Sequence, residues 1–136
     1  MSPILKKTPF PSSSIRKQLV DILSEMESRD PDIKGSIIVR SDGLIVASAL
    51  REDIDRDLVA AMCTSLLNVS RRVLEELNLG EIESYIVRGK NGVIMAIDVT
   101  PDITIAALAK KDANLGLLYI ELRRAAEKIR EILSKM

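Results

Sequence analysis

The chain has 136 residues, 46% hydrophobic and 29% charged, which is the balance of one globular domain that buries roughly two-thirds of its unfolded surface without staples. Twenty basic and twenty acidic side chains cancel and aromatics make up only 2%, so a general basic field and stacking platforms are both missing and nucleic acid is disfavoured as a partner. Histidine is absent and Cys63 is the only cysteine, which excludes intrachain disulfides, Cys/His zinc clusters and His-dependent catalysis.

No apolar run approaches the roughly 18 residues of a membrane span, and the first 14 residues lack the apolar core of a secretory signal. The expectation is a cytoplasmic protein with no membrane span. Residues 1–13, with Pro3, Pro9, Pro11, Lys6, Lys7 and a run of serines, offer little to bury and read as a flexible arm ahead of a domain at 14–136.

Ser13 or Ser14 is the expected cap of a first helix, whose Ile15, Leu19, Ile22, Leu23 and Met26 follow a single apolar stripe up to Pro31. A β-branched run at 33–40, the turn Ser41-Asp42-Gly43 and a second run at 44–49 then predict a hairpin. Both strands carry consecutive apolar residues, so both faces of their sheet need cover.

Asp53 or Asp55 caps a long helix predicted over 55–79, with Gly80 as its stop. One apolar row on it is Leu58, Met62, Val69 and Val73, another is Val59, Cys63, Leu67 and Leu74, and Leu66 and Leu77 lie between. Together they span about half the circumference, more than one sheet needs. The surplus is either an internal packing surface or a seam with another chain. Cys63, on one of these rows, reads as a small buried hydrophobe rather than a reactive thiol.

A third strand at 82–88 has polar side chains at several positions and suits a sheet edge. Gly89-Lys90-Asn91-Gly92 turns it into an apolar strand at 93–99, and Pro101-Asp102 turns that into another at 103–109; these two read as central. Asp98 and Asp102 flank the Pro turn, and turn chemistry accounts for both without an acid/base or metal role. The last helix opens near residues 112–114 and presents Leu115, Leu118, Leu122, Ala125, Ala126, Ile129 and Leu133 as one stripe. The fold class is therefore α+β, a layered α/β/α domain of order αββαβββα. Its five-stranded antiparallel sheet has the two terminal helices on one face and the long central helix on the other.

This order, with the hairpin between Gly35 and Gly43, the small residues Ala60, Ala61, Thr64 and Ser65 on the long helix, the Gly92 turn and the Asn114-Leu115-Gly116 opening of the last helix, resembles the roadblock or dynein light chain family. The resemblance implies a homodimer or paired subunit in which long helices lie side by side and third strands pair. It also implies a regulator or partner of a small Ras-like GTPase, with no catalytic residue, no cofactor and no metal; members that stimulate GTP hydrolysis act without donating an arginine finger. On that basis the expected dimer interface comprises Leu58, Met62, Ser65, Val69, Val73, Glu83, Tyr85 and Val87. The expected partner-binding residues are Thr64, Asn68, Arg71, Arg72 and Glu75 on the polar side of the helix. The competing readings are a structural scaffold subunit without effect on GTP turnover and, less favoured, a small-ligand sensory domain, which requires a cavity where the bulky aliphatics of the central strands point to a filled core.

Overall fold

The computed structural model describes residues 12–135. In chain order the elements are α1 (Ser13–Arg29), β1 (Ile33–Arg40), β2 (Ile45–Ala49), α2 (Arg56–Glu76), β3 (Tyr85–Arg88), β4 (Gly92–Thr100), β5 (Ile103–Lys110) and α3 (Leu115–Ser134). The strands form one sheet ordered β2-β1-β5-β4-β3, with every neighbouring pair antiparallel. β4 and β5 are interior and β3 is an edge, as their compositions indicate.

Several boundaries differ from the sequence expectation, each for a local reason. Ser12, not Ser13 or Ser14, caps α1: its Oγ accepts the Ile15 amide at 3.2 Å, and Ile15 packs against the core from inside the first turn. The helix thereby takes Ser13 from the expected arm, whose residues 1–11 lie outside the described residues. β2 starts at Ile45 because Asp42 Oδ1 accepts the Leu44 amide at 3.2 Å and Gly43 adopts φ 87°, which holds Leu44 in the turn.

Helix α2 ends at Glu76 rather than running to Leu79. Asn78, at φ 54°, is its left-handed terminator: the Asn78 amide donates to the Glu75 carbonyl at 3.2 Å and the Leu79 amide to the Leu74 carbonyl at 2.8 Å. That pair of bonds is a Schellman motif, and Gly80, at φ 90°, serves the following connection instead. β3 is shortened to four residues because Ile82 packs inward against the layer beneath α2 and the strand is taken up only at Tyr85.

The sheet separates two unequal cores. On one face α1 and α3 close over a cluster of twenty-one buried residues that includes Leu19, Leu23, Ile38, Met95, Ile105, Leu118, Leu122 and Ile129. Ion pairs Lys128–Glu25 at 2.8 Å and Arg29–Glu121 at 3.1 Å tie the two helices together. On the other face α2 closes over only eight: Ile37, Val39, Ala60, Cys63, Leu67, Tyr85, Ala96 and Ala106. α3 buries three large aliphatics completely, at roughly 1.5–3 kcal/mol each, whereas α2 contributes one alanine, one cysteine and one leucine. Of the three helices, α2 thus buries the least aliphatic bulk among the described residues.

Candidate interaction surface

Helix α2 begins at Asp55, whose Oδ1 accepts the Leu58 amide at 3.1 Å. From there 3.6 residues per turn place the centres of its two apolar rows roughly a third of a turn apart, and the sheet takes the second row together with Ala60. Ala60, Cys63 and Leu67 face the sheet. Leu58, Met62, Val69 and Val73 face away from it and are 54%, 50%, 61% and 48% exposed. Leu66 and Leu77 carry this outer row around one flank, and Asn68, Arg72 and Glu75, all exposed, occupy the other flank. The surplus apolar surface therefore lies outward and is left uncovered by the other described residues, rather than along an internal seam.

The remaining residues of the expected dimer interface are distributed unevenly. Ser65 is exposed beside the outer row, its Oγ donating to the Ala61 carbonyl at 3.0 Å. Val87 is exposed on β3, which among the described residues is hydrogen-bonded to β4 alone and has no strand on its other side. Glu83 is exposed but stands in the connection ahead of β3. Tyr85 is placed otherwise: its ring is buried beneath α2 and its hydroxyl donates to the Cys63 carbonyl at 3.4 Å, so its side chain belongs to the core and only its backbone lies on the edge. Burial pushes the Tyr85 phenol well above its ordinary range and the Cys63 thiol above its own, so both stay protonated at neutral pH.

Two of the expected partner-binding residues also turn inward. Thr64 is half-buried, and its Oγ1 reaches the Ala60 carbonyl at 3.0 Å and the Arg40 carbonyl at 3.4 Å, which ties α2 to the β1–β2 turn. Arg71 points at the sheet, where its Nη2 donates to Asp98 Oδ2 at 2.5 Å while Thr104 Oγ1 donates to Asp98 Oδ1 at 3.2 Å. Burial raises the Asp98 carboxyl, with Arg71 and Thr104 pulling the other way. The β4–β5 turn is instead held by the Asp102 backbone amide, which donates to Thr100 Oγ1 at 3.2 Å, and turn chemistry does not account for Asp98. The signal for this pair was the alternation Ile94, Ala96, Asp98 along one face of β4, which puts a carboxylate on the face that α2 covers.

Sequence reasoning left out Leu66, Leu77, Leu79 and Ile86 as exposed apolar residues of this side and edge, although the first two lay between the rows of the helix. Among the described residues no helix is long and apolar enough to cross a membrane.

A five-stranded antiparallel sheet with a helix pair on one face and a lone, outwardly apolar helix on the other defines the structural class. The chain belongs to the Roadblock/LC7 domain family, whose profile matches residues 19–109. Among its relatives is the uncharacterised protein MJ1340 of Methanocaldococcus jannaschii, 37% identical over 98 residues that cover 72% of this chain and 85% of that one. The fold is also similar to a solved MglB with a tetrameric arrangement, at a TM-score of 0.85 and 14% identity, with 94% of this chain and 96% of that chain covered. The gliding protein MglB of Thermus thermophilus is similar at a TM-score of 0.83 and 12% identity, covering 95% and 98%.

Proposed function

We propose that the protein is a non-enzymatic homodimer that binds a small Ras-like GTPase and alters its hydrolysis, nucleotide state or location by contact through the α2 face. The observation that carries this reading is the outer row Leu58, Met62, Val69 and Val73, about half or more exposed on a helix whose inward side is already seated on the sheet. A row of large aliphatics held in water is a liability unless another protein covers it. The outer edge of β3, which no described strand pairs, supports pairing with a second copy, because an unpaired edge and an exposed apolar helix are relieved by the same association. Family membership supports the GTPase as partner, and the tetrameric arrangement of a solved MglB supports self-association.

The exposed flank of Asn68, Arg72 and Glu75 is the proposed polar part of the GTPase contact. Arg71, engaged by Asp98, supports docking rather than donation of a catalytic guanidinium. The purified protein, mixed with candidate small GTPases loaded with GDP or a non-hydrolysable GTP analogue, is expected to co-elute with one of them in at least one nucleotide state. Absence of a complex in both states removes the reading. A stable complex with unchanged GTP turnover and nucleotide exchange transfers it to scaffolding.

A further inference from the structure

We propose that a cavity at the C-terminal end of α2 takes a basic side chain, arginine or lysine, of a protein partner. The cavity, about 530 Å³, lies between the last turns of α2, the connection at 78–82 and the β4–β5 turn. Leu74, Ile82 and Pro101 provide its apolar lining, and Arg71, Asp98, Glu75 and Glu81 its charges. Arg71 and Asp98 neutralise each other across 2.5 Å. Glu75 and Glu81 are exposed carboxylates that join no ion pair among the described residues. The net charge of the lining is therefore negative.

A second observation points the same way. The C-terminal end of a helix carries a partial negative charge that Lys or Arg ordinarily offsets, and the last turn of α2 holds no basic residue. Two carboxylates and a helix C-terminus thus converge on a recess with apolar walls. An anion is repelled there, and a hydrocarbon would strip water from the carboxylates without replacing it. A long alkyl cation matches both requirements, with its stem along Leu74, Ile82 and Pro101 and its head between Glu75 and Glu81. The recess borders the flank that carries Asn68 and Arg72, so the inference adds one specific contact to the docking role of α2. It rests on that role only for the source of the side chain.

The test titrates the full chain with N-acetyl-arginine methylamide, its lysine counterpart and the neutral norleucine analogue, followed by amide NMR. The expected result is saturable shifts centred on residues 74–82 and 98–102 with the two cations and none with norleucine. The double variant Glu75→Gln, Glu81→Gln is expected to weaken the cation response by roughly three- to tenfold with an unchanged unfolding transition. Lack of saturation, an equal response to norleucine, or an unchanged response in the double variant overturns the inference. A GTPase that binds the wild type and the double variant equally, yet is lost with Met62→Glu, overturns it while leaving the docking role of α2 standing.

Discussion

Arg71 and Asp98 show how one pair of side chains ties a helix to the sheet beneath it. Asp98 carries its carboxylate into the layer beneath α2, where Arg71 and Thr104 are its partners. Arg71→Ala leaves that half-buried carboxylate with Thr104 alone, and is expected to lower the free energy of unfolding by about 1–3 kcal/mol. Arg72→Ala, on the exposed flank, is expected to change it by less than about 0.5 kcal/mol. Urea denaturation of the two variants side by side checks the contrast. The opposite phasing of these adjacent arginines was not legible from the helix by itself, because a charged residue turned inward is recognised only once the carboxylate on the facing strand is known.

Glu27 gives a pH-dependent counterpart. The fully buried Ser36 donates to its Oε2 at 2.8 Å, but burial outweighs that bond and raises the carboxyl above its ordinary 4.5. A carboxyl raised by folding binds its proton more tightly in the native chain than in the unfolded one. Its contribution to stability is present below 4.5 and is lost as pH rises through the raised value. Glu27→Gln keeps an acceptor for Ser36 and removes the titration. Relative to this variant, the wild type is expected to lose stability as pH climbs just above 4.5, a difference that denaturation midpoints across mildly acidic pH measure.

At the scale of the element, α2 combines a strong helical sequence with weak attachment. Its Schellman terminator places Asn78 in the left-handed region, which asparagine tolerates and glycine occupies without strain. Asn78→Gly is therefore expected to leave stability unchanged or raise it by a few tenths of a kcal/mol. Asn78→Ala is expected to lower it by about 1 kcal/mol, and thermal melts distinguish the two. Sequence spacing revealed both apolar rows of α2 and the surplus they represent. It did not reveal which row faces out, because two neighbouring apolar rows of one helix are equivalent until a sheet lies against one of them. The sheet selects the side bearing Ala60 and Cys63, since small side chains allow close approach over Ala96 and Ala106. The shortened β3 has a similar origin: Ile82 reads as strand by composition, but the apolar layer under α2 captures it first.

For the whole molecule, the unequal cores set the division of labour. The α1/α3 face, with twenty-one buried residues against eight among the described residues, holds most of the core, and each of its two helices presents a single apolar stripe. That is why element order, layer assignment and edge position were legible from sequence. The described residues leave the outer side of α2 uncovered, and the proposed account covers it with a second copy through the outer row and the β3 edge. Met62 and Val69 are 50% and 61% exposed, so a charge at either costs the single chain little. In an apolar seam the same charge is expensive. The most direct measurement is the solution mass, by size-exclusion chromatography with light scattering, of the wild type, Met62→Glu and Val69→Glu at matched concentrations. The account predicts twice the chain mass for the wild type and the single-chain mass for both variants, with unchanged circular dichroism. A monomeric wild type, or variants that remain at twice the chain mass, contradicts it.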